Sequence, residues 1–298
     1  LLRRAAALAG GILVLASLAA LPARAAPGDL DTTFGASGAR FWGYAQEELR
    51  ALKRMADGRL VLAGLARDGG AATLLVVRIG ASGTPDATFG TNGIVRLPLG
   101  NPDAEIRDMA LDPVAGTLVF VGTLNGADNL LVALNGNGAP VLPFGTGGLA
   151  QPALPVAGVQ RLRRVRFSAA GLVLVAFEAA IAPGVTEDIA IARFDMTGAL
   201  DASFGSSGVQ LAGFACASAR ATSLAIDTNA RPVIAGECLA GASDSDSIVA
   251  RFTPSGAADA AFNAPGTPGR AVLDFATGAR DGIRHLEADG ANRLVLAG

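Results

Sequence analysis

The sequence predicts an all-β fold: a β-propeller of four-stranded antiparallel blades, about five in number, four complete and one partial. Three observations predict it. A Phe-Gly turn motif recurs through the 298 residues. An apolar strand follows each copy in the same order along the repeat. That strand lacks the polar alternation of a sheet with one wet face.

The turn motif comes first along the chain. Asp31-Thr-Thr-Phe34-Gly35 returns as Asp86-Ala-Thr-Phe89-Gly90 and Asp201-Ala-Ser-Phe204-Gly205. Weaker copies are Val141-Leu-Pro-Phe144-Gly145 and Asp259-Ala-Ala-Phe262-Asn263. The phenylalanines stand 55, 55, 60 and 58 residues apart. Each Phe is read as a plug between blades, each Gly as a positive-φ turn residue, and each Asp as a cap on backbone N–H groups.

Next come the strands. Gly58-Arg-Leu-Val-Leu-Ala-Gly64 recurs as Gly116–Gly122, Gly171–Phe177, Ala230–Gly236 and Asn292–Gly298. A strand closing on a turn recurs as Val76–Ile79, Leu131–Leu134, Ile191–Phe194 and Ile248–Phe252. In the first full unit the strands are placed near 50–55, 59–64, 73–80 and 93–97, with Asp57-Gly58 as a hairpin turn. A strand apolar on both faces needs a sheet on each side, and radial stacking of small sheets supplies that. No long 3.6-residue periodicity follows residue 26. The repeats are set near 39–97, 98–152, 153–213, 214–275 and 276–298. One strand near 39–44 and two near 283–288 and 293–298 supply the partial blade, and the stop inside a repeat is read as a truncation.

Arg3 and Arg4, the apolar run Ala5–Ala20 and the small residues Ala23 and Ala25 form a secretory pattern. Residues 1–25 are therefore expected to be a cleaved signal peptide, with residues 26–298 as the propeller. This places the protein outside the cytoplasm, in the periplasm, at the cell surface or in the medium, with no later membrane span. The formal net charge of −2 gives no basic face for nucleic acid. Lys53 is the single lysine, read as a compositional accident.

The Asp-x-x-Phe-Gly-x-x-Gly turn, the Asp-Gly-Arg-Leu-Val-Leu-Ala-Gly strand and the Ala-Arg-Phe-x-x-x-Gly strand resemble the delta-60 repeat of bacterial secreted proteins. The likeness covers roughly residues 28–298. It implies a propeller and no general activity. Val141 and Ala133 depart from the pattern in the second copy, and Asn263 in the fifth.

Arg50, Arg107, Arg163 and Arg284 precede the second strand of four units by eight or nine residues, with Arg220 nearby in the remaining one. If the first strand is innermost, they face a channel and can hold an anion. The plainer reading pairs them with loop carboxylates. The run Arg161, Arg163, Arg164, Arg166 is read as a solvated strand, and Asp244-Ser-Asp246-Ser as a solvated loop. Cys216 and Cys238 flank a hairpin and are expected to form a disulfide. No metal set, phosphate loop or cofactor motif is found. The expected function is a non-enzymatic scaffold for an extracellular peptide, glycan or protein. The alternatives are a propeller hydrolase or lyase, with His285, Asp281, Glu287 and Asp289 as its one polar cluster, and a structural surface array.

Overall fold

The computed structural model describes residues 30–39, 47–68, 70–182, 186–239, 244–263, 265–275, 278 and 280–298. The predicted signal peptide and residues 40–44 of the predicted N-terminal strand lie outside them. Residues 30–39 belong to a unit of their own. There Asp31 accepts hydrogen bonds from the Thr33 amide and hydroxyl at 3.0 and 2.6 Å.

The rest is a β-propeller. The first sheet holds β1 (Glu47–Arg54), β2 (Leu60–Asp68), β3 (Ala71–Ile79) and β4 (Ile94–Pro98). The second holds β5 (Glu105–Leu111), β6 (Leu118–Thr123), β7 (Asn129–Leu134) and β8 (Leu149–Ala150). The third holds β9 (Gln160–Phe167), β10 (Val173–Ala182), β11 (Thr186–Phe194) and β12 (Val209–Leu211). The fourth holds β13 (Ser218–Ile226), β14 (Pro232–Leu239), β15 (Ser245–Arg251) and β16 (Arg270–Leu273). A two-stranded fifth sheet holds β17 (His285–Ala288) and β18 (Leu294–Ala297). Neighbouring strands in every sheet run antiparallel in sequence order.

The first strands β1, β5, β9, β13 and β17 lie side by side, so they are the innermost. Glu287 of the last sheet comes near enough to Lys53 of the first to act on its charge. The central parts of the second and third strands are apolar on both faces because alternation gives one face to each neighbour. Leu118, Phe120, Leu130 and Val132 pack against Val61, Leu65 and Leu74 of the first sheet. Val119, Val121, Leu131 and Ala133 pack against Leu162, Val173 and Val175 of the third. Each of the Val, Leu and Phe side chains among them contributes about 1.5–3 kcal/mol by leaving water.

The Phe-Gly motif joins one sheet to the next. Phe89, Phe144 and Phe204 are fully buried. The amides of Gly90, Gly145 and Gly205 donate to Asn137, Thr197 and Ser255 of the following sheet at 2.7–2.8 Å. Three arginines lie over motif rings: Arg78 on Phe89, Arg193 on Phe204 and Arg251 on Phe262, at 4.6–4.8 Å. Each also donates to the motif aspartate, Asp86, Asp201 or Asp259, at 2.7–2.8 Å. Ala133 and Val141 remove both charges from the second copy together, so neither is left unpaired there.

These aspartates make the fold acid-sensitive. The Thr88 hydroxyl, joined by the Arg59 guanidinium and the Thr88 amide, holds the Asp86 carboxyl well below the usual range. The Ser203 hydroxyl and amide and Arg193 do the same for Asp201. A depressed folded pKa adds stability that is complete above the ordinary carboxylate value near 4 and is lost as pH falls through the folded values. The urea midpoint is therefore expected to fall between pH 7 and about pH 3, and Asp201→Asn to flatten that decline. A midpoint constant over this range would show that the motif aspartates carry no linkage.

Candidate functional site: an arginine-lined axial mouth

The site begins with a break in register. Pairing of the first strand to the second skips Arg50 in β1, Arg107 in β5 and Arg163 in β9. A bulge of one residue turns its side chain out of the alternation. In the first, second and fourth sheets the closing glycine of the second strand permits it, while in the third Phe177 stands at that place. A Cβ at Gly64, Gly122 or Gly236 would collide with the carbonyl of Glu48, Glu105 or Arg220. In β13 the skipped residue is Thr222, and Arg220 stands two positions before it. The sequence spacing placed Arg220 one residue out of step; the bulge corrects that to two.

Three successive inner strands thus turn an arginine toward one end of the axis. Arg50, Arg107 and Arg163 line a cavity of about 230 Å³ with Arg164, Arg220 and Glu105. Arg50 pairs with Glu48 and Arg107 with Glu105, each at 2.5 Å. Arg163 grips Glu178 with two nitrogens at 2.8 and 2.7 Å, and that carboxylate is buried. Arg164 donates through Nε to the Thr222 carbonyl at 2.6 Å. The Arg107 Nε is buried and has no hydrogen-bond partner among the described residues. Arg220 forms no ion pair among them. Burial, with Arg163 beside it, pushes the Arg107 pKa down; burial does the same to Arg164, opposed by Asp108. Both guanidiniums stay charged at any ordinary pH. Clustered cations with an unfilled donor suit an anion.

Arg284 does not join this cavity. It pairs with Glu237 at 2.9 Å and is largely exposed. The arginine run of β9 is not a solvated strand, because β9 lies at the axis, where Arg166 pairs with Asp108 of β5 at 3.0 Å. The suggested cluster around His285 is dispersed. His285 and Glu287 meet at 3.3 Å as exposed side chains, while Asp289 is held by Arg293 in the hairpin turn. Asp281 accepts from the Phe275 amide at 2.6 Å. Asp246 lies on β15 and not on a loop, and its carboxylate falls within 4.8 Å of those of Asp274 and Asp281. Burial, helped by Asp244, Asp274 and Asp281, raises its pKa. Cys216 and Cys238 are bonded, with their Cα atoms 5.3 Å apart.

Sequence reasoning missed the carboxylates. Glu48, Glu105 and Glu178 belong to no motif: the first two stand two residues before their arginines, and Glu178 reaches Arg163 through the β9–β10 pairing.

Residues 56–89 match a family model described as "Domain of unknown function (DUF5122) beta-propeller". No curated protein matches the chain. Among solved structures it is similar to a sucrose-6-phosphate hydrolase from Lactobacillus gasseri, with 14% identity, a TM-score of 0.40, and 83% of this chain against 52% of that one. The chain thus spans about half the length of that protein. A GH43 endo-arabinanase from Bacillus licheniformis shows 16% identity, a TM-score of 0.38, and coverage of 67% and 71%. A thermostable family-43 glycoside hydrolase shows 11% identity, a TM-score of 0.39, and coverage of 71% of each chain. Likeness at this level speaks to fold and not to substrate. The expectation of a non-enzymatic scaffold is corrected to this extent: the solved structures named above are all of hydrolases and give a non-catalytic reading no support, while what they act on is said of those proteins alone. That expectation rested on the lack of a catalytic motif. A site assembled from several strand ends leaves no such motif in sequence.

Proposed function

We propose that this chain is a propeller hydrolase or lyase that takes an anionic substrate at the axial mouth. The convergence of Arg50, Arg107, Arg163, Arg164 and Arg220 on one cavity with Glu105 carries this reading. Arginine forks bind carboxylate, phosphate or sulfate groups in two-point fashion. Glu105, part-exposed on the rim, is the carboxylate we assign to proton transfer, and the adjacent guanidiniums stabilise negative charge that develops in the transition state. The repeat is assigned to the delta-60 type, supported by its turn and strand motifs. Export is supported by the N-terminal charge and apolar pattern and by the disulfide. No helix among the described residues is long and apolar enough to cross a membrane.

Turnover of phosphate esters, sulfate esters and uronate-bearing glycans, set against neutral glycans, tests the proposal. Arg107→Ala is expected to reduce kcat/KM on the anionic substrate by about 30-fold or more, from the loss of one charge-assisted contact. Glu105→Gln is expected to abolish turnover and to retain binding. Equal turnover of neutral substrates, or an unchanged Arg107→Ala enzyme, would remove the mouth from the reaction.

A further inference from the structure

The opposite end of the axis holds a second cavity, of about 590 Å³, between the first two sheets. The inner strands end there. Lys53, Arg54 and Arg166 lie in its wall with Phe167, Asp112 and Val114. Arg166 is committed to Asp108. The Lys53 and Arg54 side chains are not committed: among the described residues neither side chain has an ion pair or a hydrogen bond. A half-buried lysine without a paired carboxylate is uncommon, because burial of an ammonium ion normally requires one.

The surroundings of Lys53 explain why it stands apart. Burial is the largest influence on its amine, followed by Arg166, with Arg164 adding to both. Asp108 and Glu287 act in the opposite direction, and the net result is a lowered pKa. Asp108 is shared: it accepts from the Val165 amide and from Arg166, both at 3.0 Å. A desolvated lysine beside other cations is the usual setting of a nucleophilic amine.

We infer that Lys53 is a carbonyl-capturing amine, and that its cavity accepts a small aldehyde or ketone bearing an anionic group. The neutral amine attacks the carbonyl carbon with its lone pair, giving a carbinolamine. The carbon–oxygen bond then breaks, water leaves with both amine protons, and a C=N bond remains. Water reverses the step, so no oxidant or other reactant is required. Arg54, free of a carboxylate, is the group that receives the anionic end of the ligand.

The sole lysine makes the test simple. The full chain is incubated with glyoxylate or with propanal at neutral pH, cyanoborohydride reduces any imine, and peptide mapping reads the labelled amine. A lowered pKa raises the free-amine fraction at that pH. Lys53 is therefore expected to label with glyoxylate faster than a lysine in an unstructured peptide. Propanal is expected to label it more slowly, and Arg54→Ala to remove the preference for glyoxylate. Lys53→Arg confines the label to the N-terminus. Labelling at the peptide rate overturns the proposal, as does equal labelling by the two aldehydes. A thermal melt of Arg54→Ala that matches the parent protein separates loss of anion recognition from loss of fold.

Discussion

Phe204→Ala is expected to lower the unfolding free energy by about 3–5 kcal/mol, the range for deleting a buried aromatic side chain. The ring is fully buried among Ile189 and Ile191 of the third sheet and Leu224, Ile248 and Phe252 of the fourth, so its loss opens a cavity between two blades. Two further groups depend on it. The Arg193 guanidinium lies 4.7 Å from its centroid. Gly256 sits against the ring so closely that a Cβ there would meet its edge at 2.9 Å. Its positive φ of 89° adds backbone strain to any replacement. Gly256→Ala is therefore expected to destabilise the same interface from the other side. Urea denaturation measures both. A loss below about 1 kcal/mol for Phe204→Ala would show that the blades collapse onto the gap or that the ring is not a plug.

The second large effect lies at the mouth. Glu178→Ala is expected to cost about 3–5 kcal/mol, because Arg163 keeps its charge in a mostly buried position without a carboxylate. Replacing both partners, Arg163→Met with Glu178→Leu, is expected to recover most of that loss, since no ion is then left unpaired. The double variant also separates stability from function. It folds, yet it lacks one of the three arginines turned out by the bulges, and its affinity for an anionic substrate is expected to fall. Denaturation of the single and double variants gives the coupling between the two side chains. If the losses simply add, the pair does not act as a unit and the mouth is not organised by Glu178.

Much of this fold is legible in the chain. The Phe-Gly motif and its offset strands carry the period, and the absence of alternation in β6 and β7 already calls for a sheet on each side. Strand positions read from the first unit fall on β1 to β4, with ends that move by a few residues. The interblade role of the motif arginines was not legible. Arg78 and Gly136, whose carbonyl it reaches, stand 58 residues apart and meet only across a blade boundary. Lys53 was set aside as composition, and only its place at the axis beside Arg164 and Arg166 gives it chemistry.

The division follows from how far each interaction reaches. Turn chemistry, strand pairing of near neighbours and the burial of both strand faces depend on residues within one repeat, so the sequence by itself determined the architecture and the plug. The site depends on which side chain escapes the alternation at a bulge and on which of five inner strands it then meets. A bulge is a slip of one residue in pairing, with no residue type that announces it. The spacing that Arg50, Arg107, Arg163 and Arg284 share does not say which of them meet. Only the tertiary structure decided that Arg50, Arg107 and Arg163 share a cavity while Arg284 does not.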